Sequence, residues 1–413
     1  MEEIHMENST LFDLAQELEQ QNGRIYETVC QWIYDHAELG EQEFQSSAYL
    51  KERLTEIGFT VTAPYGNLPT AFRAEYGHGH PKVAFLAEYD ALPGYGPEKD
   101  QNRHACGHNW IAANTFGACD ILRRIYDAGH FTGTIVYMGC PAEEMLGGKV
   151  NMVDAGCFDD IDAAMQIHIA GGNETKLAGQ SLAIDSVEFT YHGVSSHSAG
   201  APERGVNALD ACYLMFDGVN ALRQHVTPDA RIHGIITNGG LAPNVVPALA
   251  SSKWFVRAAD RTYLNELTQK VINCARGGAM MTGAEMEWRF FENSYDNMML
   301  NRTLIDAMAE CMRIAGIGNI NTTEQAPNGS SDVGNVSWVT PTLAVNMGIG
   351  NTDGADCHEE AFLCNVIGER GFVGLHKAIL SQVFLALCIY TDPEMQWKLA
   401  EDKQQILAAR AAR

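Results

Sequence analysis

The segment HACGHN, residues 104–109, places a cysteine and a histidine two positions apart, at Cys106 and His108. It follows the strand-like segment AFLAEYDALPG (84–94) and precedes a stretch with helical periodicity. Both side chains are therefore expected at the carboxyl end of a strand, where ligands usually bind in α/β proteins. Thiolate and imidazole are ligands that zinc prefers. Taken alone, such a pair is more often formed by core or capping residues than by metal ligands.

Further candidate ligands follow other apolar segments. Glu143 and Glu144 come after TIVYMG, His168 lies in MQIHIAGG, and His358 lies in GADCHEEAF. Adjacent carboxylates repel each other unless their roles differ, so one can bind a metal while the other transfers protons. The alternatives are a solvated glutamate pair at a helix start and two ordinary core or loop histidines.

The combination is more informative than any single motif, because separate strand ends would bring five ligands to one edge of a sheet. These ligands are Cys106, His108, Glu144, His168 and His358. Five ligands exceed the needs of one tetrahedral zinc but suit two ions about 3.5–4 Å apart with a bridging hydroxide. Glu143 would then act as general base, and Asp90 would orient a metal-bound histidine. The donor set favours zinc, with manganese or cobalt as alternatives.

The elements that must position these residues alternate between strand and helix. The pattern predicts an α/β fold with a mainly parallel sheet flanked by helices, formed by residues 1–185 and 298–413. The order β-α-β-β-α-β over residues 186–297 predicts an inserted ferredoxin-like domain. The expected helices and strands of the larger domain include helices 11–37, 42–58, 109–126 and 301–315 and strands 83–87, 134–138 and 163–167.

Composition narrows the class of partner. The 413 residues include 28 Lys and Arg against 52 Asp and Glu, a net charge of −24, and 46% are hydrophobic. Such a chain can build a large core, and its acidity argues against binding to nucleic acid or to an anionic membrane surface. Beyond this, the acidity indicates only a mild preference for neutral or cationic ligands.

The sequence also predicts a compartment. No apolar run approaches the roughly 20 residues that span a bilayer, and the acidic start MEEIHMENST does not resemble a signal peptide. Eleven cysteines are scattered without paired spacing, which is typical of thiols in a reducing environment. We expect a cytoplasmic protein.

Several motifs occur in an order that resembles a known family. They are AEYDALPG, HACGHN, PAEE, HSA at His197, NVVP at Asn244 and GSSDVGNVS at Gly329. The set resembles the two-metal aminoacylase and carboxypeptidase-G-like metallopeptidases, in the amidohydrolase branch with a cysteine metal ligand. The resemblance covers nearly the whole chain. Within the branch it is nearest to p-aminobenzoyl-glutamate hydrolase subunits and to dipeptidases for β-alanyl or basic-residue dipeptides.

The resemblance implies the ligand set, the base and the supporting aspartate described above, with two divalent ions per subunit. It also implies a homodimer formed through the inserted domain, which would act as a lid. The residues expected to bind substrate are His197, Asn244, Arg257, Gly329 and Ser330. In relatives the histidine reaches the partner's site, and an arginine is suited to clamp a carboxylate. Judged without the family, His197, Asn244 and Arg257 would be read as turn or surface residues.

The chain departs from the family pattern in one segment. Family members run directly from ALPG into HACGH, whereas here GYGPEKDQNR (94–103), whose Gly94 is also the last residue of ALPG, precedes HACGH. This insertion adjoins Cys106 and could reshape the rim of the site or the substrate range. In addition, Asn109 stands where many amidohydrolases carry aspartate.

Three functions follow as hypotheses. The first is a metal-dependent amidohydrolase that cleaves the amide bond of a small N-acyl or aminoacyl amino acid. The second keeps this chemistry but acts on β-alanyl or basic-residue dipeptides, which the net charge of −24 favours weakly. The third is a non-catalytic partner subunit of a hydrolase. Retention of Glu143 and all five ligands argues against the third.

Overall fold

The computed structural model describes residues 2–327 and 329–413, with the backbone alone for residues 2–8. The chain divides into two compact units. The larger unit comprises Met1–Gln180, Met298–Ala326 and Asn335–Arg413, and the smaller comprises Ser181–Asn297 and Pro327–Gly334.

This division differs from the expected boundaries in two places. The smaller unit begins at Ser181 rather than at residue 186, and it includes Pro327–Gly334. The Leu182 N–H donates to the Gly329 carbonyl over 2.9 Å, which ties this second segment to the start of the smaller unit. A hydrogen bond over a long sequence separation of this kind cannot be inferred from local periodicity.

The larger unit is built on an eight-stranded sheet. Its strands are β1 (Thr60–Thr62), β2 (Phe72–His78), β3 (Lys82–Ala87), β6 (Gly133–Gly139), β7 (Ala163–Ala170), β8 (Thr175–Lys176), β13 (Ile320–Asn321) and β14 (Thr342–Gly348). The order across the sheet is β1-β2-β6-β3-β7-β14-β8-β13. Strands β6, β3, β7 and β14 are parallel neighbours, so their carboxyl ends lie at one edge. The predicted mainly parallel sheet is confirmed.

Helices flank this sheet and bury its apolar side chains. They are α1 (Glu2–Asp35), α2 (Phe44–Glu56), α3 (His108–Asp127), α4 (Gly148–Asp154), α7 (Arg302–Ile314), α8 (Val333–Ser337), α9 (Leu363–Val366), α10 (Glu369–Thr391) and α11 (Pro393–Ala411). Helix α8 begins in the smaller unit, and a short 3₁₀ helix spans Glu360–Phe362. The core of the unit includes the fully buried Trp110 of α3.

The inserted segment 94–103 contributes most of a hairpin of two short strands, β4 (Leu92–Tyr95) and β5 (Gln101–Arg103). The predicted elements did not include this hairpin, nor α4, α11 and β2. Their short or polar sequences carry little hydrophobic periodicity, which is the main signal for such elements.

The smaller unit has the element order that the sequence predicts. Its elements are β9 (Ala183–His192), α5 (Ala208–Leu222), β10 (Arg231–Asn238), β11 (Leu249–Ala258), α6 (Arg261–Thr282) and β12 (Glu285–Phe290), with 3₁₀ turns at Pro202–Arg204 and Arg223–His225. The antiparallel sheet has the order β10-β11-β9-β12. The side chains of Asn207 and Asp260 accept backbone N–H groups at the starts of α5 and α6, which fixes where these helices begin. The ferredoxin-like unit is confirmed.

Helix α10 corrects one expectation. With 23 residues it is long and apolar enough to cross a membrane by length and composition, although no such segment was expected. Most of its side chains are buried against the rest of the larger unit, and Leu375, Ile379 and Phe384 are fully buried. An all-round apolar helix of this kind is accounted for as a core helix.

Candidate metal centre and active site

The edge formed by the carboxyl ends of β3, β6 and β7 gathers the five predicted ligands. Ligand atoms in each of three groups lie within 4.8 Å of one another. The groups are Cys106, His108 and His168; Cys106, Glu144 and His358; and His108, Glu143 and Glu144. Residues up to 252 positions apart in the chain therefore meet at one place, as the strand order requires.

Individual distances connect the three groups. The Cys106 Sγ lies 3.4 Å from the Nε2 of His168. One carboxylate oxygen of Glu144, Oε1, lies 3.3 Å from His358 Nε2 and 3.9 Å from His108 Nε2. Cys106 and Glu144 thus stand between the histidines, in positions from which each could serve more than one ion.

Gly107 explains how Cys106 and His108 can both face the cluster. Gly107 has φ of 79°, and α3 begins directly after it. A Cβ atom at this position would lie 2.3 Å from the Cγ2 of Ile169. Only glycine combines this left-handed backbone with so close an approach, so the motif needs glycine between its two candidate ligands.

Asp90 orients two of the candidate ligands at once. Its Oδ1 lies 2.8 Å from the Nδ1 of His108, and its Oδ2 accepts the backbone N–H of Glu144 over 2.9 Å. A proton on Nδ1 leaves the Nε2 lone pair of His108 directed at the cluster. This is the arrangement that a carboxylate beside a metal-binding histidine normally produces.

The cluster fits a cation. Among the described residues, His108 Nε2 is buried and has no hydrogen-bond partner, a condition that costs about 1–3 kcal/mol unless something binds there. Burial raises the pKa of Glu144, but hydrogen bonding to His358 and the charge of His108 outweigh it and lower this pKa. Burial lowers the pKa of His108, but the charge and hydrogen bond of Asp90 raise it well above its ordinary value. Opposite charges beside each group therefore shift both pKa values in the direction that favours the charged form.

A buried ion pair beside His108 was not predicted. The ammonium of Lys149 contacts the carboxylate of Glu88, and both side chains are almost fully buried. The other oxygen of Glu88 lies 3.5 Å from His108 Nε2. Burial raises the pKa of Glu88, but the charges of Lys149, His108 and His168 together outweigh burial and lower it, so Glu88 is ionised. In the sequence, the feature that could have indicated a role for Glu88 is its position in AEYDALPG, two residues before Asp90.

Cys357, next to His358, is a second residue that the sequence analysis missed. Its thiol donates to the carbonyl of Ile169 over 3.4 Å and contacts the carbonyl of Cys106 over 3.8 Å. Hydrogen bonding with the Cys106 thiol lowers the pKa of Cys357, and the same contact raises the pKa of Cys106. Cys357 therefore adds a polarisable sulfur immediately behind two candidate ligands.

In the smaller unit, His197 and Asn244 lie on neighbouring loops. The Ser198 N–H donates to the Asn244 carbonyl over 3.1 Å, and His197 is bridged to Val245. The His197 Nδ1 accepts the N–H groups of Ala199 and Gly200 over 3.2 and 3.0 Å. This places the ring proton on Nε2, where an exposed donor can reach a carbonyl or carboxylate.

The other three predicted substrate-binding residues form a second group in the smaller unit. Arg257 Nη1 donates to Ser330 Oγ over 2.9 Å, and Gly329 is held by its hydrogen bond to Leu182. Burial lowers the pKa of Arg257, although the carboxylate of Glu292 opposes the shift. The guanidinium remains charged because its ordinary pKa lies far above neutrality.

Comparison with known proteins identifies the family. The model of peptidase family M20/M25/M40 matches residues 84–371, which is more than half of the chain. The chain belongs to this family. The predicted relationship to this family of metallopeptidases, hydrolases that act on amide and peptide bonds, is thereby confirmed.

Three relatives illustrate the match. A p-aminobenzoyl-glutamate hydrolase subunit from Escherichia coli is 36% identical over 73% of this chain and 64% of its own length. Xaa-Arg dipeptidase from Mus musculus is 37% identical over 70% of this chain and 67% of its own length. The chain thus matches about two thirds of the length of these relatives. The YXEP protein of Bacillus subtilis, described as a dinuclear metal-binding peptidase, is similar in fold, with a TM-score of 0.64 at 21% identity over 89% of this chain and 98% of its own.

Proposed function

We propose that this protein is a metal-dependent amidohydrolase that cleaves the amide bond of a small N-acyl or aminoacyl amino acid. The observation that carries the proposal is the convergence of the three ligand groups, with Glu143 within 4.8 Å of His108 and Glu144. The residues that would hold two divalent ions are Cys106, His108, Glu144, His168 and His358. Membership of the M20 family and the dinuclear relative support this assignment.

The contacts of these residues support a separate role for each of them. Two divalent ions bound by these donors would polarise the substrate carbonyl and acidify an attacking water. Glu143 accepts the proton of that water on its carboxylate and returns it to the leaving nitrogen. Asp90 holds the His108 ring and the backbone of Glu144 in place for metal binding. The ammonium of Lys149 balances the charge of the buried Glu88 carboxylate.

Zinc is the proposed metal, since a cysteine thiolate beside three imidazoles favours it over magnesium or calcium. Manganese and cobalt are the alternatives. The proposed assembly is a homodimer through the smaller unit, whose edge strand β10 exposes Ile235 and Ile236. His197, Asn244, Arg257, Gly329 and Ser330 are proposed to bind substrate. A reducing cytoplasm is proposed because none of the eleven cysteines, all within the described residues, forms a disulfide.

A dipeptidase acting on basic-residue dipeptides is the second candidate. The 37% identity to an Xaa-Arg dipeptidase favours it, as does the net charge of −24, which attracts cationic substrates. The two candidates share every proposed catalytic residue and differ only in the group that the substrate side of the site recognises.

A substrate panel tests both candidates. Purified protein loaded with zinc is assayed on N-acetyl amino acids, p-aminobenzoyl-glutamate, β-alanyl dipeptides and Xaa-Arg dipeptides, with metal content measured by elemental analysis. We expect two zinc ions per chain and hydrolysis of at least one class. Preference for Xaa-Arg substrates would select the second candidate. Two bound ions with no hydrolysis of any amide would favour the non-catalytic subunit, and one or no bound ion would contradict the ligand set.

A further inference from the structure

The hairpin formed by β4 and β5 is attached to the loop that carries His358. Its turn is closed by a hydrogen bond from the Lys99 N–H to the Gly96 carbonyl over 3.1 Å. The carboxylate of Glu360 accepts the Gly96 N–H over 3.0 Å and pairs with the Lys99 ammonium over 2.6 Å. The hairpin and this loop are therefore joined at two atoms of one side chain.

A closer attachment involves the backbone of His358 itself. The hydroxyl of Tyr95 donates to the His358 carbonyl over 2.9 Å, and the His358 N–H donates to the Ala105 carbonyl over 2.9 Å. Tyr95 is 8% exposed. Burial and the nearby carboxylate of Glu144 raise the pKa of Tyr95, so the hydroxyl keeps the proton that it donates. Both polar groups of one peptide residue are thus held by the segment that contains the insertion.

His358 needs such support more than the other ligands do. Its side chain is 56% exposed, against 9% for Glu144 and 1% for His108. It lies on a loop outside the named strands, and its φ of 71° is in the left-handed region, which an ordinary side chain adopts at a cost of about 1–3 kcal/mol. No strand holds this residue, and its one side-chain contact described above is with Glu144, so the hydrogen bonds of its backbone contribute strongly to its position.

We propose that Tyr95 is a positioning residue for the metal ligand His358, and that the insertion 94–103 secures one of the two metal positions. The inference rests on the proposed function, since it takes His358 to be a ligand. Removing an outer partner of a metal ligand weakens metal binding by roughly 10- to 100-fold. Tyr95 acts through the backbone of His358 and not through contact with substrate.

The test compares zinc binding by the full-length protein and three variants. Tyr95→Phe removes only the hydroxyl. Tyr34→Phe is the matched control, because the Tyr34 hydroxyl donates to the Leu363 carbonyl over 3.3 Å, at the start of α9 and five residues after His358. His358→Ala marks the zinc that depends on this ligand. Each metal-free protein is titrated with zinc in competition with a chromophoric chelator, and its thermal unfolding is recorded without metal.

We expect Tyr95→Phe to bind one zinc with unchanged affinity and the second about 10- to 100-fold more weakly. The weakened zinc should be the one that His358→Ala loses, and Tyr34→Phe should bind both zinc ions normally. The metal-free melting temperatures of Tyr95→Phe and Tyr34→Phe should agree. If Tyr95→Phe fails to fold, Glu360→Ala releases the same hairpin and must weaken the same zinc.

Two results would overturn the inference. In one, Tyr95→Phe binds both zinc ions normally while His358→Ala loses one, so that the ligand assignment holds and the positioning role fails. In the other, Tyr95→Phe weakens both ions equally, which is the mark of a general structural defect. If His358→Ala instead retains both zinc ions at full affinity, the proposed ligand set itself is wrong.

Discussion

The ligand cluster of the larger unit and the loop pair of the smaller unit, which carries His197 and Asn244, hold candidate functional side chains in opposite ways. In the cluster, Glu88, Asp90 and His108 are buried, and each charged group has a partner within 3.5 Å. In the loop pair, His197 and Asn244 are exposed and are held through backbone hydrogen bonds. Buried charge must be balanced to fold, whereas an exposed loop residue can change with little effect on stability.

The cluster should nevertheless contain one residue that serves chemistry more than folding. Glu143 is only half-buried, and we propose no role for it as a metal ligand. Glu143→Gln should retain both metal ions and the wild-type melting temperature while lowering kcat by about 10²- to 10⁴-fold, the usual contribution of a general base. On one preparation, steady-state kinetics measure kcat, metal analysis measures the bound ions, and thermal unfolding measures the melting temperature. Near-normal turnover would remove Glu143 from the mechanism.

The buried ion pair should show the opposite behaviour. Lys149→Met leaves the Glu88 carboxylate buried without its cation and should reduce the free energy of unfolding by about 3–5 kcal/mol at pH 7. The loss should shrink as the pH falls. The pKa of Glu88 is depressed in the wild type, so its stabilisation is present above the ordinary glutamate pKa and disappears as the pH drops towards the folded value.

Urea unfolding of the metal-free proteins at several pH values measures this effect. Glu88→Gln combined with Lys149→Met is the matched control, because it removes both charges and should recover much of the lost stability. A single variant as stable as the wild type at pH 7 would mean that the pair contributes nothing that the fold needs.

The sequence predicted the cluster better than its supports. Cys106, His168 and His358 could be placed together because parallel strands deliver their carboxyl ends to one edge, a rule that depends on element order alone. Lys149 and Tyr95 were missed because their roles depend on distances across the fold. Lys149 follows a glycine pair in GGKV, and Tyr95 lies in an insertion without periodicity. Nothing local marks either residue as the partner of a distant side chain.

The same reasoning applies to the boundaries of the two units along the chain. The ferredoxin-like unit was predictable because its six elements are contiguous and strongly periodic. The return of Pro327–Gly334 to the smaller unit was not, because it depends on the contact between Gly329 and Leu182, which lie 147 positions apart. Local sequence patterns predict individual helices and strands well. They predict long-range contacts only where the order of the strands permits a single arrangement.

The smallest effect is expected in the loop pair, where His197→Ala removes an exposed hydrogen-bond donor. We expect kcat/KM to fall by about 10-fold, which corresponds to the loss of a hydrogen bond worth about 1–1.5 kcal/mol. The melting temperature should stay unchanged, because surface substitutions usually cost less than about 0.5 kcal/mol. His192→Ala is the control, since His192 is also exposed in the smaller unit and pairs with Glu287 over 3.1 Å. If His197→Ala destabilised the protein as much as Lys149→Met does, the contrast between buried and exposed functional residues would not hold.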